Sequence, residues 1–221
     1  MSIIGISGRI GSGKDTVGEI IKKLCLTNKG PEFEIKKFAG KLKTIASLLT
    51  GISIEKWEDQ EFKNLEMPEG WNMTYRTFLQ KLGTEGMRIG VHTNVWVNSL
   101  FADYKPQDAP YKNLGDLLED KHNGLLNNPN WIITDMRFPN ELEAIKSRGG
   151  ITIRVNRPMG GSKFEGTQEK WDKLVERNKQ STHASETALD NTEFDYVIDN
   201  TGSIKDLIEK VREILVKEKI I

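Results

Sequence analysis

The apolar positions of this chain alternate between short continuous runs and longer periodic stretches. Residues 2–7 read as a buried strand, and residues 16–26 place Val17, Ile20, Ile21 and Leu24 at helical spacing, so the glycine-rich segment between them joins a strand to a helix. Residues 32–38 predict a second strand. Residues 41–49 predict a helix with Leu42, Ile45, Leu48 and Leu49 on its inner side, stopped by Gly51. Ser53 is placed to cap a short helix reaching Lys63, and Thr74, after the Met67-Pro68-Glu69-Gly70 turn, to cap one running towards Arg88. Asn94 starts another that reaches Tyr104. Residues 131–134 form a short apolar strand ending at Asp135, and Pro139 opens a helix that closes at Gly149 and Gly150. Strands at residues 151–155 and 194–198 and a helix at residues 203–217 complete the pattern. Two polar segments interrupt it: residues 105–130, rich in Asn, Asp, Pro and Gly, read as a surface excursion, and residues 158–190 contain one amphipathic piece at residues 171–177.

Strands and helices alternating in this way predict an α/β fold, a mainly parallel sheet covered on both faces with right-handed crossovers. A ligand then belongs beyond the carboxyl ends of the strands, where Gly8, Asp135 and Arg157 each follow a predicted strand.

The 221 residues suit one large domain, and Lys plus Arg balance Asp plus Glu at 32 each, so no global field favours nucleic acid or a membrane surface. Anion binding must be local. The first residues are apolar only through Ile6 and carry no basic leader, and no later stretch approaches the length of a membrane span, so a cytoplasmic, unexported protein is expected. A single cysteine, Cys25, excludes an internal disulfide and a cysteine-based zinc cluster and reads as a small buried side chain.

Gly8-Arg9-Ile10-Gly11-Ser12-Gly13-Lys14 has the spacing of a P-loop. Its glycines allow successive amides to turn inward, the following helix adds its positive end, and Lys14 supplies a cation to the β and γ phosphates. The residue after the lysine, usually Ser or Thr and a magnesium ligand, is Asp15, with Thr16 next. Either can meet the metal. Asp135 at a strand end fits the acidic partner that orients magnesium and its waters, or an ordinary helix cap.

Lys14-Asp15-Thr16, Phe38-Ala39-Gly40-Lys41-Leu42-Lys43, the run from Arg76 to Thr84, Asp135-Met136-Arg137, Arg157-Pro158, His183-Ala184-Ser185-Glu186 and the closing residues 195–203 occur in one order. With these motifs the chain resembles bacteriophage-type deoxynucleoside monophosphate kinases over most of its length, residues 51–73 and 105–130 excepted. The resemblance implies an adenylate-kinase-like P-loop fold. ATP with Mg2+ would lie at Gly8, Gly11, Ser12, Gly13, Lys14, Asp15 and Thr16, and a deoxynucleoside monophosphate would be phosphorylated. It implies a single kinase domain over residues 1–221 with a helical acceptor-binding region at residues 41–104 and a lid-like insertion at residues 158–190. If the chain is phage-encoded, its compartment is the host cytoplasm.

Arg137 is the leading catalytic candidate beside Lys14 and Asp135, with a surface ion pair as its alternative role. Arg76 and Gln80, four apart on one helical face, and Lys41 are candidates for the acceptor, or plain surface residues. Trp96 either stacks on a base or packs in the core. Arg157 and Arg177 are candidate lid cations, Arg154 lies on a strand face or joins them, and His183 and Glu186 are placed to hold the lid to the core. Residues 200–203 occupy the position of an adenine contact or form a simple capped turn. Another small-molecule P-loop kinase, such as a dephospho-coenzyme A kinase, and a nucleotide-gated switch remain the competing readings; no Asn-Lys-x-Asp guanine signature supports the latter. Dimerisation is left open.

Overall fold

The computed structural model describes residues 2–104, 130–157 and 184–221. In chain order the described elements begin with β1 (Ile3–Ser7), α1 (Lys14–Thr27) and β2 (Phe33–Lys36). A helical stretch follows with α2 (Gly40–Thr50), a 3-10 turn (Ile54–Trp57), α3 (Gln60–Lys63), α4 (Tyr75–Gln80), a π-helical segment (Lys81–Ile89) and α5 (Val95–Phe101). Then come β3 (Asn130–Met136), α6 (Pro139–Lys146), β4 (Ile151–Asn156), α7 (Ala184–Thr187), β5 (Tyr196–Asp199) and α8 (Ile204–Lys217). The predicted surface excursion and most of the predicted lid lie outside the described residues. No described helix is long and apolar enough to cross a membrane.

The chain divides into two units, Met1–Lys36 with Ala102–Ile221, and Lys37–Phe101. The first holds a five-stranded sheet in the order β2-β3-β1-β4-β5, with every pairing parallel. This is the α/β class expected from the alternating pattern. The central strand β1 and the run from Trp131 to Ile133 in β3 are short and apolar because both of their faces are covered. Side chains alternate across β1: Ile4 and Ile6 enter the cluster that α1 and α8 build with Val17, Ile21, Leu207 and Val211, while the Gly5 position abuts Ile145 of α6. On α1, a Cβ at Gly18 would stand 2.6 Å from Thr134 Cγ2, so the missing side chain is what lets the helix approach β3 closely.

β1 lies between β3 and β4, so the chain leaves β1 at the point where strand order reverses, with the carboxyl ends of its neighbours on either side. Asp135 is the penultimate residue of β3 rather than the residue after it, because the strand pairs two residues further than its apolar run suggests: Met136 stands opposite Ser7.

The second unit is helical and has its own aromatic centre, in which Trp57 packs against Phe62, Tyr75 and Phe78 at centroid separations of 5.6–6.0 Å. Three expectations are corrected there. α2 buries Lys43 and Ala46, while Leu48 and Leu49 are exposed. The physical reason is that Lys43 is paired to Glu58, which lets a cation occupy the inner stripe, while Ala46 joins the cluster around Trp57. The helix expected to run from Ser53 to Lys63 is split. Asp59, not Ser53, caps its second half by accepting from Glu61 N and Phe62 N. Thr74 does cap α4, but beyond Gln80 the helix widens into π-helical turns, where the indole of Trp96 donates to the carbonyl of Gly83 at 2.9 Å.

Gly18→Ala is expected to destabilise the chain. Alanine gains up to about 1 kcal/mol of helix propensity, but its methyl meets the stiff, fully buried Thr134, and overpacking of this kind costs about 1–3 kcal/mol. Urea denaturation checks it, and an unchanged or raised midpoint contradicts the close α1–β3 contact.

Candidate functional site

Between β1 and α1 the backbone of Gly11 (φ 79°) and Gly13 (φ 95°) lies in the left-handed region that side chains avoid. Ser12 N–H donates to Arg9 O at 3.1 Å and closes the turn, and Val17 N–H donates to Gly13 O at 2.9 Å to start the helix. A Cβ on Gly8 would overlap Ser12 and stand 2.6 Å from Val155 O. No side chain caps α1 at Gly13, so its first amides, with their share of the helix dipole, are open to an anion. Ser12 Oγ is buried with no hydrogen-bond partner among the described residues. An unfilled acceptor-and-donor group inside a glycine loop fits a phosphate, as does the neighbouring lysine.

The loop is braced from the far strand. Asn200, directly after β5, donates through Nδ2 to Ser12 O at 2.9 Å, while its own N–H donates to Asn156 O at 2.7 Å. A Cβ on Gly13 would come within 2.6 Å of that amide. The sequence placed only backbone adenine contacts or a turn at this position; the side chain's grip on the loop is a further role.

Lys14 opens α1 with 9 % of its surface exposed. Burial first, and then the charge of Arg137, hold its pKa below the usual lysine value, while Asp15, Glu186 and Asp135 pull it back up. Four other residues singled out from sequence, Asp15, Asp135, Arg137 and Glu186, therefore act on this one ammonium. Asp15 and Thr16 are exposed on the first turn of α1, and Asp15 Oδ1 accepts from the fully buried Thr134 hydroxyl at 2.9 Å, one residue before buried Asp135. Among the described residues no group of three or more His, Cys, Asp or Glu is assembled for a metal. Asp15, Thr16 and Asp135 do offer hard oxygen donors of the kind magnesium takes alongside phosphate oxygens and water.

Arg137 follows β3 and is held at both ends. Glu141 in the first turn of α6 accepts from Arg137 N at 2.7 Å and Phe138 N at 3.1 Å, and is itself buried. Nη1 of Arg137 pairs with Glu186 Oε1 and contacts Ser185 Oγ at 3.4 Å. Arg137 stands near Lys14 and makes an ion pair, though with a carboxylate only 3 % exposed rather than a surface one. Arg154 does lie on a strand face, opposite Ser7, and its Nη1 donates to Ser7 Oγ at 3.1 Å. Arg157 is exposed just after β4; Arg177 and His183 lie outside the described residues.

The helical unit carries the remaining candidates. Arg76 and Gln80 are half-buried on α4; Arg76 donates to Asn64 Oδ1 at 2.9 Å and Gln60 Oε1 at 3.1 Å. Exposed Lys41 donates to Ser99 O at 2.6 Å. Trp96 is buried and tied to Gly83, the core-packing role.

No family model matches the chain. A protein of Acanthamoeba polyphaga mimivirus named "Putative deoxynucleotide monophosphate kinase" is 27% identical over 221 residues, spanning 96% of this chain and 94% of its own. Similar solved structures include dephospho-CoA kinase from Campylobacter jejuni (TM-score 0.42, 16% identity, 98% and 96% covered) and APS kinase of Mycobacterium tuberculosis (0.43, 11%, 99% and 97%). Shikimate kinase from Aquifex aeolicus is a third (0.38, 16%, 98% and 98%).

Asn200→Ala is expected to weaken ATP binding about 2–10-fold, the worth of one intramolecular hydrogen bond of about 0.5–1.5 kcal/mol. Calorimetric titration checks it, and wild-type affinity contradicts the brace.

Proposed function

We propose that the chain is a P-loop phosphotransferase that moves the γ-phosphoryl group of ATP to a deoxynucleoside monophosphate, giving ADP and a deoxynucleoside diphosphate. The observation that carries the reading is the pair of cations at the glycine loop. Lys14 is buried with a depressed pKa, and Arg137 stands close enough to contribute to that depression. Both stand beside a glycine loop whose buried Ser12 Oγ has no partner among the described residues, a setting that a phosphate suits. The acceptor class comes from the ordered motifs and from the printed name of the mimiviral relative, which is similar along almost the whole chain.

An acceptor phosphate is already a nucleophile, so the chain's task is to align two polyanions and to spread the charge that shifts between them. Lys14 does this on the donor side. Arg137, whose Nε and Nη2 have no partner among the described residues, does it for the transferred group. Magnesium, when bound, neutralises donor phosphate oxygens, and Asp15, Thr16 and Asp135 are the residues proposed to hold it and its waters. Arg76, Gln80 and Lys41 are proposed to engage the acceptor within residues 41–104; Arg76 donates to two neutral amide oxygens, of Asn64 and Gln60. Residues 158–190, with Arg157, Arg177, His183 and Glu186, are proposed as the lid that keeps water from the phosphates.

ADP release measured across a panel of deoxy- and ribonucleoside monophosphates is expected to depend on at least one deoxynucleoside monophosphate; no acceptor-dependent turnover with any of them overturns the reading. Lys14→Met is expected to abolish turnover with the fold retained. For Arg137→Ala a fall in kcat of about 100-fold or more is expected, as for loss of a charge-stabilising donor. A change confined to the acceptor's KM would instead assign Arg137 to uniform binding.

A further inference from the structure

We infer that residues 184–190 brace the phosphate loop through two carboxylates, and that Glu186 is a positioning residue which fixes the guanidinium of Arg137 relative to that loop. The inference rests on the phosphotransferase reading for what Arg137 does, but the brace itself is a matter of geometry. Each carboxylate of the segment spans one point on the loop and one arginine from a strand that flanks β1. Glu186 accepts the backbone N–H of Ile10 through Oε2 at 3.1 Å and pairs through Oε1 with Arg137, which follows β3. Asp190 takes Arg9 of the loop through Oδ2 at 2.6 Å and Arg154 of β4 through Oδ1 at 2.9 Å. A single segment thus ties the loop to both neighbouring strands.

The two links differ in what they leave to be decided. Arg154 is held on its strand face by Ser7 and stacks its guanidinium 5.7 Å from the Phe194 ring, so Asp190 adds to a placement already made. Arg137 is fixed only at its backbone by Glu141. Its long side chain has many rotamers, and among the described residues its side-chain bonds run through Nη1 to Ser185 and Glu186. Glu186 therefore chooses the rotamer. A buried carboxylate beside a phosphate site opposes the binding of another anion, so a role in nucleotide affinity alone would not favour it. Its use is geometric.

This gives Glu186→Gln a signature that general damage does not produce. The amide still accepts from Ile10 N–H, so the loop stays tethered, but it turns an NH2 towards a guanidinium that only donates. Arg137 is one-third exposed and can be rehydrated, so little stability is lost. The variant is expected to lose about tenfold or more in kcat while ATP binds no more weakly than in the wild type, with Tm nearly unchanged. In an Arg137→Ala background the same substitution is expected to change kcat less than about twofold, because neighbours that act through one another are not additive. Asp190→Asn serves as the comparison: its factor is expected to be the same with or without Arg137. Equal factors for Glu186→Gln in the two backgrounds, or wild-type kcat in Glu186→Gln itself, overturn the inference. If the wild-type chain turns over no monophosphate, the acceptor reading fails separately and the placement of Arg137 is read from a crystal structure of Glu186→Gln, where a displaced guanidinium supports the inference and an unchanged rotamer overturns it.

Discussion

Everything at the candidate site follows from the seating of β1 between two parallel partners. Strand β1 hydrogen-bonds β3 along one side and β4 along the other, so the loop leaving it is delivered between the ends of both, and β5 extends the same edge beyond β4. From that arrangement come Arg137 after β3, Arg154 within β4, and Asn200 after β5, each reaching the loop or its bracing segment through one side chain. The apolar runs that make the strands thus fix where the polar residues stand. Register matters as much as order. Met136 and Arg154 both lie opposite Ser7, which puts Asp135 and Arg137 level with the start of the glycine loop.

Charge within this edge is distributed as pairs rather than as a patch. Lys14 and Arg137 are set against Asp15, Asp135 and Glu186, and Arg9 and Arg154 against Asp190. The equality of acidic and basic residues over the chain therefore has a local counterpart. On the proposed reading, a polyanion entering here would exchange partners with arginines that are already oriented and would meet a buried Lys14. Oriented cations need little rearrangement when charge moves, which is the property phosphoryl transfer draws on.

The loop, its flanking strand and helix, and the parallel class were legible in the sequence because each depends on residues close together in the chain. Glycines at 8, 11 and 13 mark a tight turn between an apolar strand and a helix, and Gly11 and Gly13 do take positive φ there. Leu48 and Leu49 were misassigned because helical periodicity counts apolar side chains and cannot see that Glu58 would neutralise Lys43 on the inner stripe. The segment that widens beyond Gln80 is engaged by Trp96, thirteen residues past the carbonyl it meets. Asp190 and Asn200 were read only as parts of a polar stretch and a turn, since their partners are 181 and 188 residues away. Nothing short-range marks either one.

The central claim is that this loop and its two cations carry a phosphoryl group from ATP to a nucleotide. The most direct measurement follows the label from γ-labelled ATP incubated with the chain, magnesium and deoxynucleoside monophosphates. The account requires the label to appear on a deoxynucleoside diphosphate, in step with ADP and dependent on Lys14. Label recovered only as inorganic phosphate, at the same rate with and without the monophosphates, would contradict it.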